Sequence, residues 1–404
     1  GDSTSEEVAR LAEMLAGDDL DLSIEVADDL VGLVGREPRP DKTVLEELLT
    51  HPRSLQGITK ILQRGDDDAR QTACNLLFLL SMSEPERPFD KSCTAQVKNR
   101  TSIGNCAEVL SAVLYAIDSD TPAVVNAALN ALMSVSFDNS PACLAIAKTP
   151  RLIRSFLLLL EERDGVDEAR DGASGVLCNV VYYSEEAAGI VLGEPDALRI
   201  LTALCSDPSL WSKWLGVSVI EALCHQPLAV ARLRQAATVV ALQSALHVQD
   251  PTVPHSQTMR LASMMALARL LDRRDLPSLA VAGATLEDGV DALNCSLHGQ
   301  SWGGPAIVFL PIDCLTALAN VSFCASNRKP LLQAGVVKVY AAVLRSWETL
   351  HPPHDPFGPL CPGRARGQRR LPVIEAKDDG GPAAGLHHDH EHEHQHEADA
   401  GLEG

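Results

Sequence analysis

Apolar residues recur at helical spacing along most of the chain. In residues 6–16 the apolar positions Val8, Leu11 and Leu15 lie three or four residues apart, and residues 22–34 repeat the pattern. Such spacing predicts amphipathic helices, each with one face to bury. No stretch alternates β-branched and polar residues between hairpin turns, so the sequence predicts an all-α protein with almost no strand.

Short apolar helical segments of one kind recur at near-regular intervals. When the segments are superposed, positions 134, 179, 222, 269 and 320 align, with spacings of 45, 43, 47 and 51 residues. A weaker copy lies at 73–77, with Leu79 as an alternative anchor. Spacings of about 40–47 residues, allowing for loop insertions, are typical of stacked helical repeats. One such unit cannot bury its apolar stripe alone, so stacking on a neighbour supplies the core.

The last copy is the most distinctive. Residues 317–337 read A-L-A-N-V-S-F-C-A-S-N-R-K-P-L-L-Q-A-G-V-V. This run resembles the armadillo repeat, with the end of its third helix, the Asn-Arg turn at 327–328 and the Ala-Gly entry to the next repeat at 334–335. The resemblance covers about residues 20–346. It implies an all-α fold, a right-handed superhelical α-solenoid of about six to seven armadillo/HEAT-like repeats.

Composition divides the chain into three parts. Residues 1–21 are an acidic, partly helical segment, and residues 22–346 are the repeat array. Residues 347–404 are rich in Pro and Gly and lack apolar periodicity, so this tail is expected to be disordered. Three segments break the repeat period and predict loop insertions, either as plain surface loops or as extensions of a binding surface. They are residues 84–102, 249–257 and 297–306.

The resemblance also implies a binding site. Armadillo proteins bind extended peptides or other proteins along the concave face of their third helices, where a repeated Asn holds the ligand backbone through its amide. Asn179 and Asn320 match that Asn, whereas Ser134, Ala222 and Arg269 depart from it. The expected partner-binding groove contains Asn75, Ser134, Asn179, Arg269, Thr316 and Asn320.

Tryptophan is informative by position. The importin-alpha group of armadillo proteins places Trp four residues before each Asn, and this chain has Gly175 and Thr316 there. The resemblance therefore does not extend to nuclear-signal binding of that kind. Trp211 and Trp214 lie three residues apart on one helical face. They are expected to be either a packing wedge between repeats or an exposed anchor for a partner.

Charge restricts the classes of partner. The net charge of -20 repels phosphate backbones and anionic membrane surfaces, so nucleic-acid binding and membrane insertion are disfavoured. Electrostatic steering favours a basic peptide or protein, although acidic groups also keep a long solenoid soluble. The eleven Cys residues include no C-x-x-C pair and indicate a reducing compartment. We therefore expect a cytoplasmic protein, with the nucleus as a second location.

The tail carries two charged segments. Residues 363–370 contain an Arg cluster that is expected to be a charged linker or a nuclear-targeting or acid-binding cluster. Further on, imidazoles alternate with carboxylates and are expected to bind Zn, Ni or Cu weakly, or to act as a pH-sensitive charged tail. These imidazoles belong to His387, His388, His390, His392, His394 and His396.

No catalytic motif is present. The chain has no Gly-rich phosphate loop, no H-E-x-x-H and no G-x-S-x-G, and His225 and His247, near helix ends, are expected to be structural. The sequence predicts a non-catalytic protein-binding scaffold or adaptor that needs no cofactor. Alternatives are a chaperone cofactor resembling the armadillo-type exchange factors of Hsp70, and a metal-handling protein that uses the His-rich tail. Changing Asn179, Arg269 and Asn320 to Ala is expected to weaken partner capture without unfolding the protein.

Overall fold

The computed structural model describes residues 2–34, 48, 51–81, 94–162, 167–234, 236–248, 255–298, 300, 302 and 309–350. These ranges contain α-helices, a single 3-10 turn at Leu276–Ser278 and no strand. The helices are α1 (Asp2–Leu15), α2 (Leu20–Val34), α3 (Pro52–Arg64), α4 (Asp67–Ser81), α5 (Thr94–Gly104), α6 (Ala107–Ile117), α7 (Pro122–Ser136), α8 (Ser140–Lys148), α9 (Leu152–Glu161), α10 (Asp167–Tyr183), α11 (Glu185–Gly193), α12 (Ala197–Cys205), α13 (Leu210–Leu223), α14 (Pro227–Leu233), α15 (Ala236–Leu246), α16 (Ser256–Leu270), α17 (Gly283–Leu297), α18 (Pro311–Val321), α19 (Ala325–Gln333) and α20 (Val336–Leu350).

The helices stack in layers that follow the chain. One layer consists of the third helix of each unit, and each third helix packs on the next: α2, α4, α7, α10, α13, α16 and α18. From α5 to α16 every unit has three helices, a short first one, a second one and a long third one. Three helices per unit is the armadillo arrangement, whereas a HEAT unit has two. The predicted all-α solenoid of armadillo-like repeats is therefore confirmed.

Small residues let the layers approach closely. A Cβ atom built on Gly216 of α13 would lie 2.8 Å from the amide nitrogen of Cys205 and 3.0 Å from the carbonyl oxygen of Leu201, both in α12. Only glycine fits this contact without a shift of one backbone or the other. Second and third helices of one unit thus share a core filled by Ala, Leu and Val rather than by aromatic rings.

A left-handed residue separates the first helix from the second in three of the units. Gly335 takes this conformation with a φ of 83°, before α20. Arg151 and Asp196 take it with φ values of 70° and 64°, before α9 and α12. The Ala-Gly entry that the sequence marks at 334–335 is therefore a backbone turn that recurs between repeats. In the two earlier repeats the left-handed position is occupied by other residue types.

Helix α1 lies within the N-terminal segment 1–21, which the sequence predicts to be acidic and partly helical. The helix packs on α2 and α3. Val8, Ala12 and Leu15 of α1 are buried. Glu6 and Glu13 are exposed, so α1 presents acids outward while its apolar stripe packs on the neighbouring helices.

The described part of one expected insertion is helical. Residues 94–102 of the segment 84–102 belong to α5, the first helix of its unit. Asn99 and Arg100 are buried there, and they donate hydrogen bonds to the carbonyl oxygens of Leu80 and Ser81 at the end of α4. Polar residues are needed in this stretch because they donate hydrogen bonds to the end of α4. The same polar residues made the sequence resemble a loop.

Two further helices begin or end within the other predicted insertions. Helix α16 begins at Ser256, within the segment 249–257, and α17 ends at Leu297. The last described helix extends to Leu350, four residues beyond the predicted end of the array. Residues 351–404, with the Arg cluster and the His-rich segment, lie outside the described residues. Within the described ranges, no helix combines the length and low charge that a membrane span needs.

Candidate functional site

One face of the third-helix layer is left uncovered by the neighbouring helices. On α7, α10 and α13 the exposed and half-exposed positions recur mainly three or four residues apart and form one stripe. On α4, Asp68, Thr72 and Asn75 lie at the same spacing among other half-exposed residues. We call these four stripes the open face. Its members are Asp68, Thr72 and Asn75, then Ala123, Asn126, Asn130 and Met133, then Glu168, Asp171, Gly175 and Cys178, and finally Trp211, Trp214 and Ser218.

On α16 the same face is closed. Every residue of α16 from Leu261 to Ala268 is buried. At the C-terminal end of this helix, charged and polar side chains from four third-helix units meet, and we call them the ion cluster. The cluster consists of Tyr182, Glu221, His225, Arg269 and Asp313.

The geometry of the ion cluster is that of a closed ring. His225 donates from Nε2 to Oε1 of Glu221 at 2.6 Å and from Nδ1 to Oδ2 of Asp313 at 3.2 Å. Arg269 donates from Nη2 to Oδ1 of Asp313 at 2.7 Å, and its Nη1 lies 3.6 Å from Oε1 of Glu221. The hydroxyl of Tyr182 donates to Oδ2 of Asp313 at 3.0 Å. Two carboxylates thus face two cations in a largely buried site.

The cluster shifts the pKa values of its members. Burial opposes the charge on His225, but the Glu221 charge and the hydrogen bonds to Asp313 and Glu221 outweigh it and raise the His225 pKa to about 9. Burial also opposes the charge on Asp313, yet the hydrogen bond and charge of His225 and the charge of Arg269 hold its pKa below the ordinary value. Burial raises the pKa of Tyr182, so its proton stays available for the hydrogen bond to Asp313.

The two asparagines that match the family pattern hold neighbouring repeats together. Asn179 donates through Nδ2 to the carbonyl oxygen of Met133 at 3.0 Å and to the hydroxyl of Ser136 at 3.1 Å. Asn320 donates through Nδ2 to the carbonyl oxygen of Ala268 at 2.7 Å. Each acceptor carbonyl lies one residue before the position aligned with the Asn on the preceding third helix. The amide nitrogens therefore bind the chain itself.

The other expected groove residues are dispersed. Ser134 is buried and shares a hydrogen bond of 2.6 Å with Ser81, the last residue of α4. Asn75 lies on the open face almost two turns before Ser81. Thr316 is exposed on α18 and donates to the carbonyl oxygen of Ile312. Arg269 belongs to the ion cluster, with a side chain only 11% exposed.

These contacts change the expected outcome of the triple alanine substitution. Asn179, Arg269 and Asn320 all make hydrogen bonds between repeats, and Arg269 neutralises two buried carboxylates. Their joint removal is expected to destabilise the protein, because it leaves buried acceptors and an unbalanced negative charge.

Trp211 and Trp214 both contact one imidazole. The ring of Trp214 stacks on His255 with a centroid distance of 5.5 Å and an interplanar angle of 8°, and the ring of Trp211 lies 5.7 Å from the same imidazole at an angle of 56°. Both indoles are half-buried, and His255 is exposed with a left-handed φ of 66°. The buried Nε1–H of Trp211 has no hydrogen-bond partner in the described part of the chain.

The ion cluster is the feature that sequence reasoning missed. Glu221 and His225 stand four residues apart, which was a usable local signal for one of its contacts. Asp313, 88 residues further along the chain, joins them only because the stacked third helices curve towards each other. The spacing of residues along the sequence does not predict this contact.

Comparison with known proteins gives structural neighbours only. No protein-family profile matches the chain, and no curated protein matches it. Among solved structures, an engineered protein is similar with 18% identity and a TM-score of 0.49, covering 65% of this chain and 98% of its own. A designed armadillo repeat protein in complex with the peptide (KR)4 has 16% identity and a TM-score of 0.49, covering 65% and 99%. The armadillo-type architecture of this chain rests on its own three-helix units.

Proposed function

We propose that the protein is a binding scaffold whose open face holds an extended, basic segment of a partner protein. The observation that carries this proposal is the contrast within one helix layer. The third-helix stripe is uncovered from α4 to α13 and carries acids, amides and two indoles, whereas the same stripe on α16 is buried. If the third helices served only to hold the repeats together, we would expect the stripe to be equally buried on all of them.

The chemistry of the open face suits a peptide main chain with basic side chains. Asn126 and Asn130 on α7 offer amide donors and acceptors, and Oδ1 of Asn126 is buried without a partner in the described part of the chain. Glu168 and Asp171 on the adjacent α10 are exposed carboxylates. The indole of Trp214 supplies an aromatic face for an aliphatic stem or a cation.

The size of the open face sets the length of the segment. Packed helices lie 8–10 Å apart, so the three intervals from α4 to α13 span about 24–30 Å. An extended chain advances about 3.3–3.6 Å per residue, and about seven to nine residues therefore cover the face. An octapeptide of alternating Lys and Arg has the required length and charge and serves as the probe.

A charge-reversal experiment tests the proposal. The full chain is titrated into the fluorescent octapeptide at 0.15 M salt, and anisotropy reports binding. The double substitution Glu168→Arg/Asp171→Arg is expected to weaken binding at least tenfold, and Asn130→Ala about threefold to tenfold, because each removes a contact on the open face. The matched control is Glu108→Arg on α6, an exposed acid outside the third-helix layer.

The control decides the interpretation. Glu108→Arg is expected to change the affinity less than twofold, because charges beyond about one Debye length are screened at this salt concentration. Equal losses in Glu108→Arg and in the double variant would mean that the octapeptide is attracted by net charge alone, and the open face would then not be the binding site.

A further inference from the structure

The tail contains a segment of the kind that the open face is proposed to bind. Residues 363–370 read G-R-A-R-G-Q-R-R, with four guanidinium groups among eight residues. The open face takes about seven to nine extended residues. It carries the carboxylates of Asp68, Glu168 and Asp171 and no basic side chain among its described members. The length and charge of residues 363–370, which we call the Arg segment, therefore match the ligand of the proposed function.

The sequence on either side of the Arg segment has the wrong charge for the open face. Residues 351–362 contain Asp355 and no Lys or Arg. Residues 371–404 contain a single basic residue, Lys377, against nine acids. Carboxylates repel the acids of the open face, so the Arg segment is the part of the tail whose charge is complementary to it.

The order of residues within the Arg segment also suits a surface. Side chains of an extended chain alternate between two sides. The polar residues on one side are Arg364, Arg366, Gln368 and Arg370. The other side begins with the small residues Ala365 and Gly367. An extended Arg segment can therefore direct three guanidinium groups towards one surface. Guanidinium groups offer donors only, which suits a surface of carboxylate and amide oxygens.

The spacing of the Arg residues fits the spacing of the third helices. Packed helices lie about 8–10 Å apart, so α10 is about 8–10 Å from α13, and α7 is about 16–20 Å from α13. Along an extended chain, Arg366 lies about 7 Å and Arg370 about 20–22 Å beyond Arg364. With Arg364 at the indoles of α13, Arg366 would lie at the carboxylates of α10. Arg370 would lie at the exposed amide of Asn130 on α7.

The connection from the last described helix is long enough for this placement. Arg364 follows Leu350, the last residue of α20, by 14 residues, which span at most about 46–50 Å. Tyr340 of α20 donates a hydrogen bond to the carbonyl oxygen of Leu315 on α18. Leu350 lies about 15 Å further along α20. Helix packing adds about 8–10 Å from α20 to α18 and about 16–20 Å from α18 to α13. Even end to end, these distances come to about 39–45 Å, which is within the span.

We infer that the Arg segment occupies the open face of its own chain, so that a basic partner must displace it. This inference rests on the proposed function, because both concern the same site. The connection through residues 351–363 makes the binding intramolecular, with an effective concentration in the millimolar range. Even modest contacts of the Arg segment then keep most molecules occupied, and the affinity for a partner falls by the fraction of molecules that remain open.

Neutralising the Arg segment in the full chain tests the inference. The neutral-segment variant is Arg364→Gln/Arg366→Gln/Arg369→Gln/Arg370→Gln. It is expected to bind the Lys/Arg octapeptide about tenfold more tightly than the native chain at 0.15 M salt, because the competing segment is lost. The charge-matched control is Arg64→Gln/Arg232→Gln/Lys329→Gln/Lys338→Gln, which removes four exposed cations outside the third-helix layer. The control is expected to change the affinity less than twofold. Equal gains in both variants would assign the effect to net charge and overturn the inference.

A combined variant separates the inference from the proposed function. In the Glu168→Arg/Asp171→Arg background, neutralising the Arg segment is expected to leave the octapeptide affinity unchanged, because the shared site is already lost. If Glu168→Arg/Asp171→Arg does not weaken the octapeptide even in the neutral-segment variant, the proposed function fails, and the inference fails with it. If it weakens the octapeptide there, but the neutral-segment variant binds no more tightly than the native chain, the proposed function stands and the self-occupied face is refuted.

Cross-linking locates the Arg segment. Arg366→Lys keeps the charge and supplies an amine that carbodiimide joins to a nearby carboxylate as an amide, with loss of water. Mass spectrometry of the cross-linked monomer is expected to find the new lysine joined to Glu168 or Asp171. Cross-links confined to the acids of residues 371–404 would contradict the inference. So would a dimer in light scattering that becomes a monomer in the neutral-segment variant, because the Arg segment would then occupy the open face of a second copy.

Discussion

At the scale of single residues, the most consequential arrangement is a charged histidine inside the solenoid. His225 is only 8% exposed, yet both of its ring nitrogens donate to carboxylates, one from Glu221 and one from Asp313. Arg269 provides the second cation, so the two anions are balanced. Such a group stabilises the fold only while all its partners are present, because each partner removed leaves a buried charge uncompensated.

The raised pKa of His225 makes stability depend on pH. A folded-state pKa of about 9, against 6.5 for an ordinary His, contributes stability that is fully present below pH 6.5 and is lost as the pH rises through 9. The difference corresponds to about 3 kcal/mol at most. Urea titrations of the native protein at pH 6 and pH 9.5 are expected to show this loss relative to His225→Gln. Parallel pH profiles for the two proteins would show that His225 is neutral in the fold.

At the scale of helices, sequence reasoning succeeded where local periodicity decides structure. The apolar spacing of segments such as 131–136 and 176–181 identified the third helices, since apolar residues at 3.6-residue periodicity form one face of an α-helix. It missed α5, whose buried Asn99 and Arg100 are polar because they bind the end of α4. It also missed the left-handed turns at Arg151 and Asp196, because Arg rarely adopts that conformation, and Asp, although enriched in it, adopts other conformations far more often.

The candidate site was less predictable than the fold. Asn179 and Asn320 were correctly aligned with each other, since both bind the preceding third helix in the same way. Whether such an amide faces a ligand or a neighbouring carbonyl depends on how closely the third helices approach. That distance is set by packing across repeats and has no counterpart in a single sequence.

Close helix approach gives a prediction at this scale. Gly216→Ala is expected to cost about 1–3 kcal/mol, because the added methyl group would lie within 3.0 Å of the backbone of α12. Gly189→Ala on α11 meets nothing within 4 Å and is expected to stabilise the protein by up to about 1 kcal/mol. Thermal and urea unfolding of the two variants measures both values. Stabilisation by both substitutions would contradict the close packing of α12 and α13.

At the scale of the whole molecule, the hydrogen bond from Tyr182 to Asp313 joins parts of the chain 131 residues apart. Solenoid repeats ordinarily contact only their neighbours, so their stabilities add along the array. This bond links α10 to α18 across two intervening third helices. The repeats from α10 to α18 should therefore unfold together, whereas the repeats before α10 are coupled only to their neighbours.

Hydrogen exchange tests this coupling. Tyr182→Phe removes the hydroxyl that donates to a carboxylate, a bond of about 1.5–3 kcal/mol. The amides of α18 are expected to exchange about tenfold faster, with α4 unchanged. Tyr340→Phe is the matched control, because its hydroxyl donates to the carbonyl oxygen of Leu315 in the adjacent unit. Unchanged amide exchange of α18 in Tyr182→Phe, or equal acceleration of exchange in α4 and α18, would show that the long-range bond does not couple the repeats.

The ring of charged side chains also has a mechanical consequence. Helical solenoids behave as springs, since each repeat can tilt slightly against the next. In the described part of the chain, the side-chain hydrogen bonds between α4 and α10 join adjacent repeats, so these repeats should lengthen smoothly under tension. From α10 to α18 the long-range bond must rupture before the coil can open, so that half should yield in one abrupt step. A load applied to the two termini would first extend the repeats from α4 to α10, while the repeats from α10 to α18 resist until the long-range bond breaks.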